Sequence, residues 1–309
     1  PAASTQAGTQ NLEGEGGWIR QIVGGEYGII FQENAIWRMT YIGSPVIFQF
    51  DEVERGKGTL ASGSVASVGS LIFYLGRDDF YVFDGTKSTP IGHDRIYQTF
   101  INDVDKDNLH RISSEADTKN NIVVWTYPNK TANGIPNRAL IYNWAINRWA
   151  YAEFNSELLV QSRAVGYTLD SLDSVSTDID ALTESLDSDF WKGGEIQLSI
   201  FDTSHKLAHL TGTALDAVLE TGEVQLLPNN RSLVNNVRPL IDGGTVTVQT
   251  GTRNLLSESA TFGQSVSVNT AGECSLFAEG RYHRFRTNIT GNFNHAQGME
   301  IYAVPGGKY

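Results

Sequence analysis

Three times along the chain a short apolar run meets a polar turn and resumes at once in aromatic or aliphatic residues. Tyr27 to Met39 is split by Gln32-Glu33-Asn34, and Leu71 to Leu75 is joined to Phe80 to Phe83 through Gly76-Arg77-Asp78-Asp79. Arg138 to Tyr151 repeats the plan, with Ala139-Leu140-Ile141-Tyr142 ahead of Asn143 to Asn147 and then Arg148-Trp149. A weaker fourth copy, Glu195 to Leu210, places Ile196, Leu198, Ile200 and Phe201 before an Asp202-Thr203-Ser204-His205 turn. Such pairs of runs predict antiparallel hairpins. Their recurrence at roughly 40 to 70 residues suits propeller blades that carry insertions. The prompt return to large apolar side chains is what the inner strands of a tapering blade need. A β-sandwich with similar hairpins is the competing architecture, and strands dominate in both.

Further strands are predicted at Pro45 to Phe50, Gly58 to Val68 and Asn121 to Tyr127, the last β-branched and aromatic until Pro128 stops it. Leu109 to Asn120 reads equally as a short helix or a strand. The stretch 166–194 breaks the pattern with repeated Asp, Ser and Thr, which favour turns over helix interiors. Its evenly spaced Leu172, Val175, Ile179, Leu182 and Leu186 mark it as an acidic surface excursion joining blades. From Glu223 the alternation becomes cleaner, at Thr245 to Thr250 and Gln264 to Asn269, as half-exposed antiparallel strands require. The predicted fold is therefore all-β: propeller-like hairpin blades over 1–222, then a C-terminal antiparallel sheet region over 223–309 that packs on or closes them. The first blade is expected to be incomplete at its N-terminal end, because Pro1 stands where a Met would and opens a Ser/Thr/Gly-rich stretch.

Composition narrows the function. The chain carries 31 Gly and only 8 Pro, which suits tight turns between short strands. One cysteine, Cys274, allows no internal disulfide and no thiolate metal cluster, and it reads as a small buried apolar residue. No apolar run approaches the ~18 residues of a membrane span, and the first residues lack the basic and apolar regions of a signal peptide, so a soluble protein is expected. A net charge of −12 argues against wrapping nucleic acid, which needs clustered Lys and Arg. It is compatible with a conduit through which DNA slides without sticking.

No constellation predicts catalysis, and neither a cofactor nor a metal is expected. The acidic stretch Asp170 to Asp189 lacks the central glycine and closing Glu of a calcium loop. Asp78 and Asp79 are adjacent in a turn, so an extended backbone would point them apart, which is poor for a cooperating acid and base. His205 and His209 would share a helix face and could take zinc there, but their segment reads as a hairpin. The one local concentration of positive charge is Arg281, His283, Arg284 and Arg286. The strand pattern is expected to put these basic residues on one face and aromatics on the other. On an acidic chain the arginines Arg281, Arg284 and Arg286 read as a contact for an acidic patch on a neighbouring subunit.

Leu71 to Gly85 with Pro90-Ile91-Gly92, Arg138 to Trp149, Lys192-Gly193-Gly194, Gly280 to Arg286 and Pro305-Gly306-Gly307 together resemble the tail-hub or nozzle proteins of podoviruses, a group that includes the packaged-DNA stabilisation proteins. The likeness spans roughly residues 20–309 and rests on structural motifs. It implies a non-enzymatic virion protein, assembled in the host cytoplasm, whose propeller-based subunits form a hexameric ring below the portal and adaptor proteins. Such a ring extends the DNA channel, retains packaged DNA and connects to fibres or a needle. A carbohydrate-binding or glycoside-cleaving propeller and a trimeric phage fibre or baseplate component are the alternatives.

Overall fold

Apolar runs separated by polar turns pair with their immediate neighbours, and the computed structural model shows this from the first described strand onward. The structure describes residues 9–163, 196–210 and 215–307 together with isolated positions between 163 and 196. The acidic excursion expected at 166–194 therefore lies, apart from those positions, outside the described residues. Contacts divide the chain into two units, 1–210 and 211–309.

The first unit is built of small antiparallel meanders. Strands β1 (Ile19–Val23), β2 (Gly28–Gln32), β3 (Ala35–Gly43) and β4 (Ile47–Arg55) form one sheet in sequence order. The second contains β5 (Ala66–Val68), β6 (Leu71–Leu75), β7 (Phe80–Phe83) and β8 (Ser88–Pro90). After helix α1 (Tyr97–Asp103), β9 (Ser113–Asp117), β10 (Ile122–Tyr127), β11 (Arg138–Asn143) and β12 (Arg148–Glu153) form the third. A last sheet combines β13 (Leu158–Arg163), β14 (Ile196–Phe201) and β15 (Leu207–His209). All four predicted hairpins are present as β2–β3, β6–β7, β11–β12 and β14–β15. Hydrogen bonding closes no barrel among the described residues, and the strand pairing establishes an all-β chain of small antiparallel sheets.

Consecutive sheets pack through apolar faces. Ile29, Phe31 and Ile36 of the first bury against Ile72, Tyr74, Tyr81 and Phe83 of the second. The other face of the second sheet, with Phe73, Leu75 and Phe80, meets Val123, Trp125, Tyr127, Leu140 and Tyr142 of the third. Val124 and Ala139 on the far side of the third then meet Leu159 and Ile200 of the fourth. Successive residues point to opposite faces, so β6 and β10 serve two interfaces each. That is why they read as unbroken apolar runs.

Two segments of the first unit depart from expectation. Gly58 to Val68 is a strand only at β5, because the hydroxyls of Thr59 and Ser64 satisfy local backbone in its place: Ser64 Oγ donates to the Ala61 carbonyl at 2.7 Å. Gly63 is also held here by space, since a Cβ would come 2.0 Å from the Ile112 carbonyl oxygen. Leu109 to Asn120 combines both readings, a 3-10 helix at Lys106–Arg111 followed by β9.

In the second unit β16 (Ala217–Glu220), β17 (Ser232–Ile241), β18 (Thr245–Arg253), β19 (Thr261–Phe262), β20 (Val266–Ser267), β21 (Cys274–Gly280), β22 (Tyr282–Thr290) and β23 (Ala296–Pro305) make two sheets. One runs β16-β22-β18-β19, with β20 also on β18, and the other runs β21-β17-β23. Val234, Val237, Val248, Cys274, Leu276 and Phe285 fill the core they share. Cys274 is a buried, apolar-packed thiol. The run Gln264 to Asn269 pairs only at Val266 and Ser267. Among the described residues no helix is long and apolar enough to cross a membrane.

Candidate functional site

The basic strand lies in the second unit, where β22 is hydrogen-bonded between β16 and β18. The register sets Glu220 directly opposite Arg286. Alternation sends His283, Phe285, Thr287 and Ile289 into the core and leaves Arg284 and Arg286 outside. The expected division of basic from aromatic residues is thus corrected. His283 joins Phe285 in the core, with the two rings stacked at 6.3 Å, and Tyr282 joins the arginines on the outer face. The parity of the strand, not the type of side chain, decides the face.

Two of the three candidate arginines already share a carboxylate. Arg284 Nη2 lies 2.5 Å from Glu220 Oε1 and Arg286 Nε lies 2.8 Å from Glu220 Oε2. Arg286 also covers the Phe262 ring at 4.1 Å. Arg281 stands at the bend between β21 and β22, and it makes no hydrogen bond or ion pair with any described residue. A fourth arginine on the same face escaped the sequence reading. Arg253, opposite Tyr282 in the ladder, pairs with Glu223, donates to the carbonyls of Leu256 and Glu258 at 2.6 and 2.7 Å, and lies 5.7 Å from the Tyr282 centroid. Its register position opposite an aromatic on a predicted strand was the only signal that could have found it. The outer face is therefore a layer of guanidinium groups mostly satisfied within the unit, with Arg281 unengaged at its end.

Other candidates are resolved by position. Asp78 and Asp79 point apart. The Asp78 carboxylate accepts from the Tyr81 hydroxyl at 2.8 Å and lies 3.4 Å from Lys57 Nζ. Burial pushes Asp78 up, but the Tyr81 and Lys57 contacts outweigh it and hold the group below its usual range. Asp79 is buried, with Oδ1 capping the Phe80 N–H at 2.8 Å and Oδ2 unpartnered. Burial raises its pKa. His205 sits in a turn at φ 60° and pairs with Glu157 at 2.7 Å, whereas His209 lies on β15 and faces Ser199 at 2.9 Å. The two histidines do not share a site.

Three serine–histidine contacts occur among the described residues: Ser199 and Ser162 with His209 Nδ1 at 2.9 and 3.3 Å, and Ser232 with His283 Nε2 at 2.8 Å. Neither imidazole is bonded to a carboxylate among the described residues; Ser199 and Ser232 are fully buried, and the partly buried Ser162 hydroxyl is shared with Ser199 at 2.7 Å. A nucleophile needs access to substrate and a base that is itself oriented. These contacts satisfy buried polar atoms instead. No group of three or more His, Cys, Asp or Glu among the described residues could hold a metal ion. No family model matches the chain, and no curated protein matches it.

Proposed function

We propose that this chain is a non-enzymatic ring subunit of a short phage tail, in which the stacked meanders act as propeller blades and the assembled ring surrounds a DNA channel. The observation that carries the reading is an unfinished stack. Between sheets the apolar faces are sealed, yet the outward face of the first sheet is not. On the side away from the second sheet the register pairs Tyr41 with Phe48 and sets Ile22 beside Ile30 and Trp37, of which Ile30 is buried and Trp37 partly buried. Ile22, Tyr41 and Phe48 are 56, 69 and 39% exposed. Exposed large apolar side chains gathered on one sheet face suit an interaction surface, and a further sheet supplied by a neighbouring subunit would bury them.

Two further features agree. The net charge of −12 suits a channel wall that must not hold DNA. Arg281 offers an unengaged cation to an acidic neighbour, while Arg284 and Arg286 extend the same edge. The hexameric count and the partners, namely portal-side adaptor proteins, fibres or a needle, come from the likeness to podovirus nozzle proteins, as does the placement in the virion.

The test is a double substitution on the open face, Tyr41→Asp with Phe48→Asp. The expected result is a folded monomer with an unchanged circular dichroism spectrum. Oligomers of unaltered mass from the substituted chain would reject this face as the ring contact.

A further inference from the structure

We propose that the cleft between the first and second sheets of the first unit, at Tyr27 and Arg38, binds a sugar acid: a small polyhydroxylated ring carrying one carboxylate. This reading is independent of the ring-subunit proposal, since it concerns one unit of one chain.

The cleft measures about 460 Å³, within the range of small-ligand sites and enough for one or two sugar residues. Its floor is apolar, formed by Val23, Ile29 and Ile72. Tyr27 lines one side and is 42% exposed. The turns that rim it are open at Gly24, Gly25 and Gly85, where an added Cβ would meet nothing, or nothing closer than 3.6 Å. A ligand can therefore approach the backbone closely.

Arg38 is the group that asks for a ligand. It stands on the central strand β3, between Ile29 and Asp51 in the ladder. Its guanidinium carbon lies 5.5 Å from the Tyr27 centroid. Nevertheless it forms no ion pair with a described residue, and its Nε is buried without a hydrogen-bond partner. The Nε is closed to a ligand, so the donors that an acceptor in the cleft would meet are the two Nη groups, which no described residue engages. A carboxylate matches the two-pronged geometry of a guanidinium.

The rest of the lining decides between anions. Glu26 and Asp84 also border the cleft, so with Arg38 the local formal charge is negative. A phosphate dianion or a nucleic-acid backbone would meet about twice the repulsion that a monocarboxylate meets, and the single carboxylate alone is matched by the one fork of Arg38. Asp84 Oδ1 is engaged by the Thr86 and Lys87 N–H groups, each at 2.9 Å. Its Oδ2 bonds no described residue and, with the Glu26 carboxylate and the exposed Ser70 hydroxyl, can receive or donate hydrogen bonds to ring hydroxyls. The apolar floor and Tyr27 accommodate the C–H faces of a pyranose ring.

The experiment is a titration of the full chain with glucuronate, galacturonate, glucose and inorganic phosphate, followed by ligand-observed NMR and calorimetry. The result expected is saturable binding of at least one uronate at about millimolar affinity, with glucose and phosphate weaker by about tenfold or more. Arg38→Gln should reduce uronate binding to the level of glucose. Ser70→Trp, at an exposed turn where the fold tolerates it, should close the cleft and abolish binding with the near-UV spectrum retained. Absence of saturable uronate binding would overturn the proposal. So would glucose or phosphate binding as tightly as the uronates, or uronate binding unchanged in folded Ser70→Trp protein.

Discussion

The indole Nε1 of Trp125 donates to the main-chain carbonyl of Ser64 at 2.8 Å, across 61 residues of sequence. Trp125 is on the central strand of the third sheet, and Ser64 lies in the 3-10 turn that leads into the second. The bond pins one sheet to the next at the centre of the largest aromatic cluster, where Phe80 sits 5.0 Å from Trp125 and 5.1 Å from Phe100. The sheets are thus joined by a buried polar contact as well as by apolar area.

Replacement of Trp125 by Ala removes a fully buried side chain and strands the Ser64 carbonyl, so a loss of about 3 to 5 kcal/mol is expected. Trp149 is only partly buried, lying at the rim of the same cluster with its Nε1 donating to the Ile91 carbonyl at 2.9 Å. Its replacement should cost roughly half as much, about 2 kcal/mol. Denaturant titration of both variants checks the order. A Trp149 variant less stable than the Trp125 variant would contradict it.

His283 gives the second unit a pH dependence. It is buried, and desolvation lowers its pKa below the usual 6.5. The folded state therefore holds the neutral imidazole, while the unfolded chain takes up a proton below about 6.5. Stability contributed by neutral His283 is present above that pH and is lost as pH falls toward the depressed folded value. Melting curves between pH 7.5 and about 5 should show a decline, and His283→Gln, less stable at pH 7.5, should flatten it. A variant with the same slope as the native chain would assign the decline to other groups.

Charge reversal should separate the three arginines of the basic edge. Arg281→Glu has no described partner to disturb, so the melting curve should stay unchanged while assembly weakens. Arg284→Glu with Arg286→Glu places three carboxylates together with Glu220. It should loosen β16 from β22, at a cost on the order of 1 kcal/mol for a partly exposed pair. Sedimentation and melting of the two variants, measured side by side, read the difference. Normal assembly by Arg281→Glu protein would remove Arg281 from the contact.

How much of this was legible depends on which force set each feature. The hairpins at β2–β3, β6–β7 and β11–β12 were readable because burial and turn chemistry agree locally: apolar runs flank Gln32-Glu33-Asn34 or Gly76 to Asp79 with no competing signal. Gly58 to Val68 misled because its hydroxyls bond local backbone, an alternative that alternation does not report. On β22 the aromatic and basic residues are interleaved, so only the parity anchored by buried Phe285 and Ile289 could sort His283 from Tyr282. The pairing of Arg284 and Arg286 with Glu220 lies 64 or more residues away along the chain and depends on a register that no local pattern contains. The Arg38 cleft is likewise formed by turns of two sheets, and its guanidinium reads in sequence as an ordinary exposed strand residue.

The central claim, that the chain is a ring subunit completed by its neighbours, is tested most directly by its mass in solution. Sedimentation of the purified full chain should give a species of six times 33.9 kDa at micromolar concentration. A species that stays at 33.9 kDa across the accessible concentration range, or one that assembles as a trimer, would contradict the account.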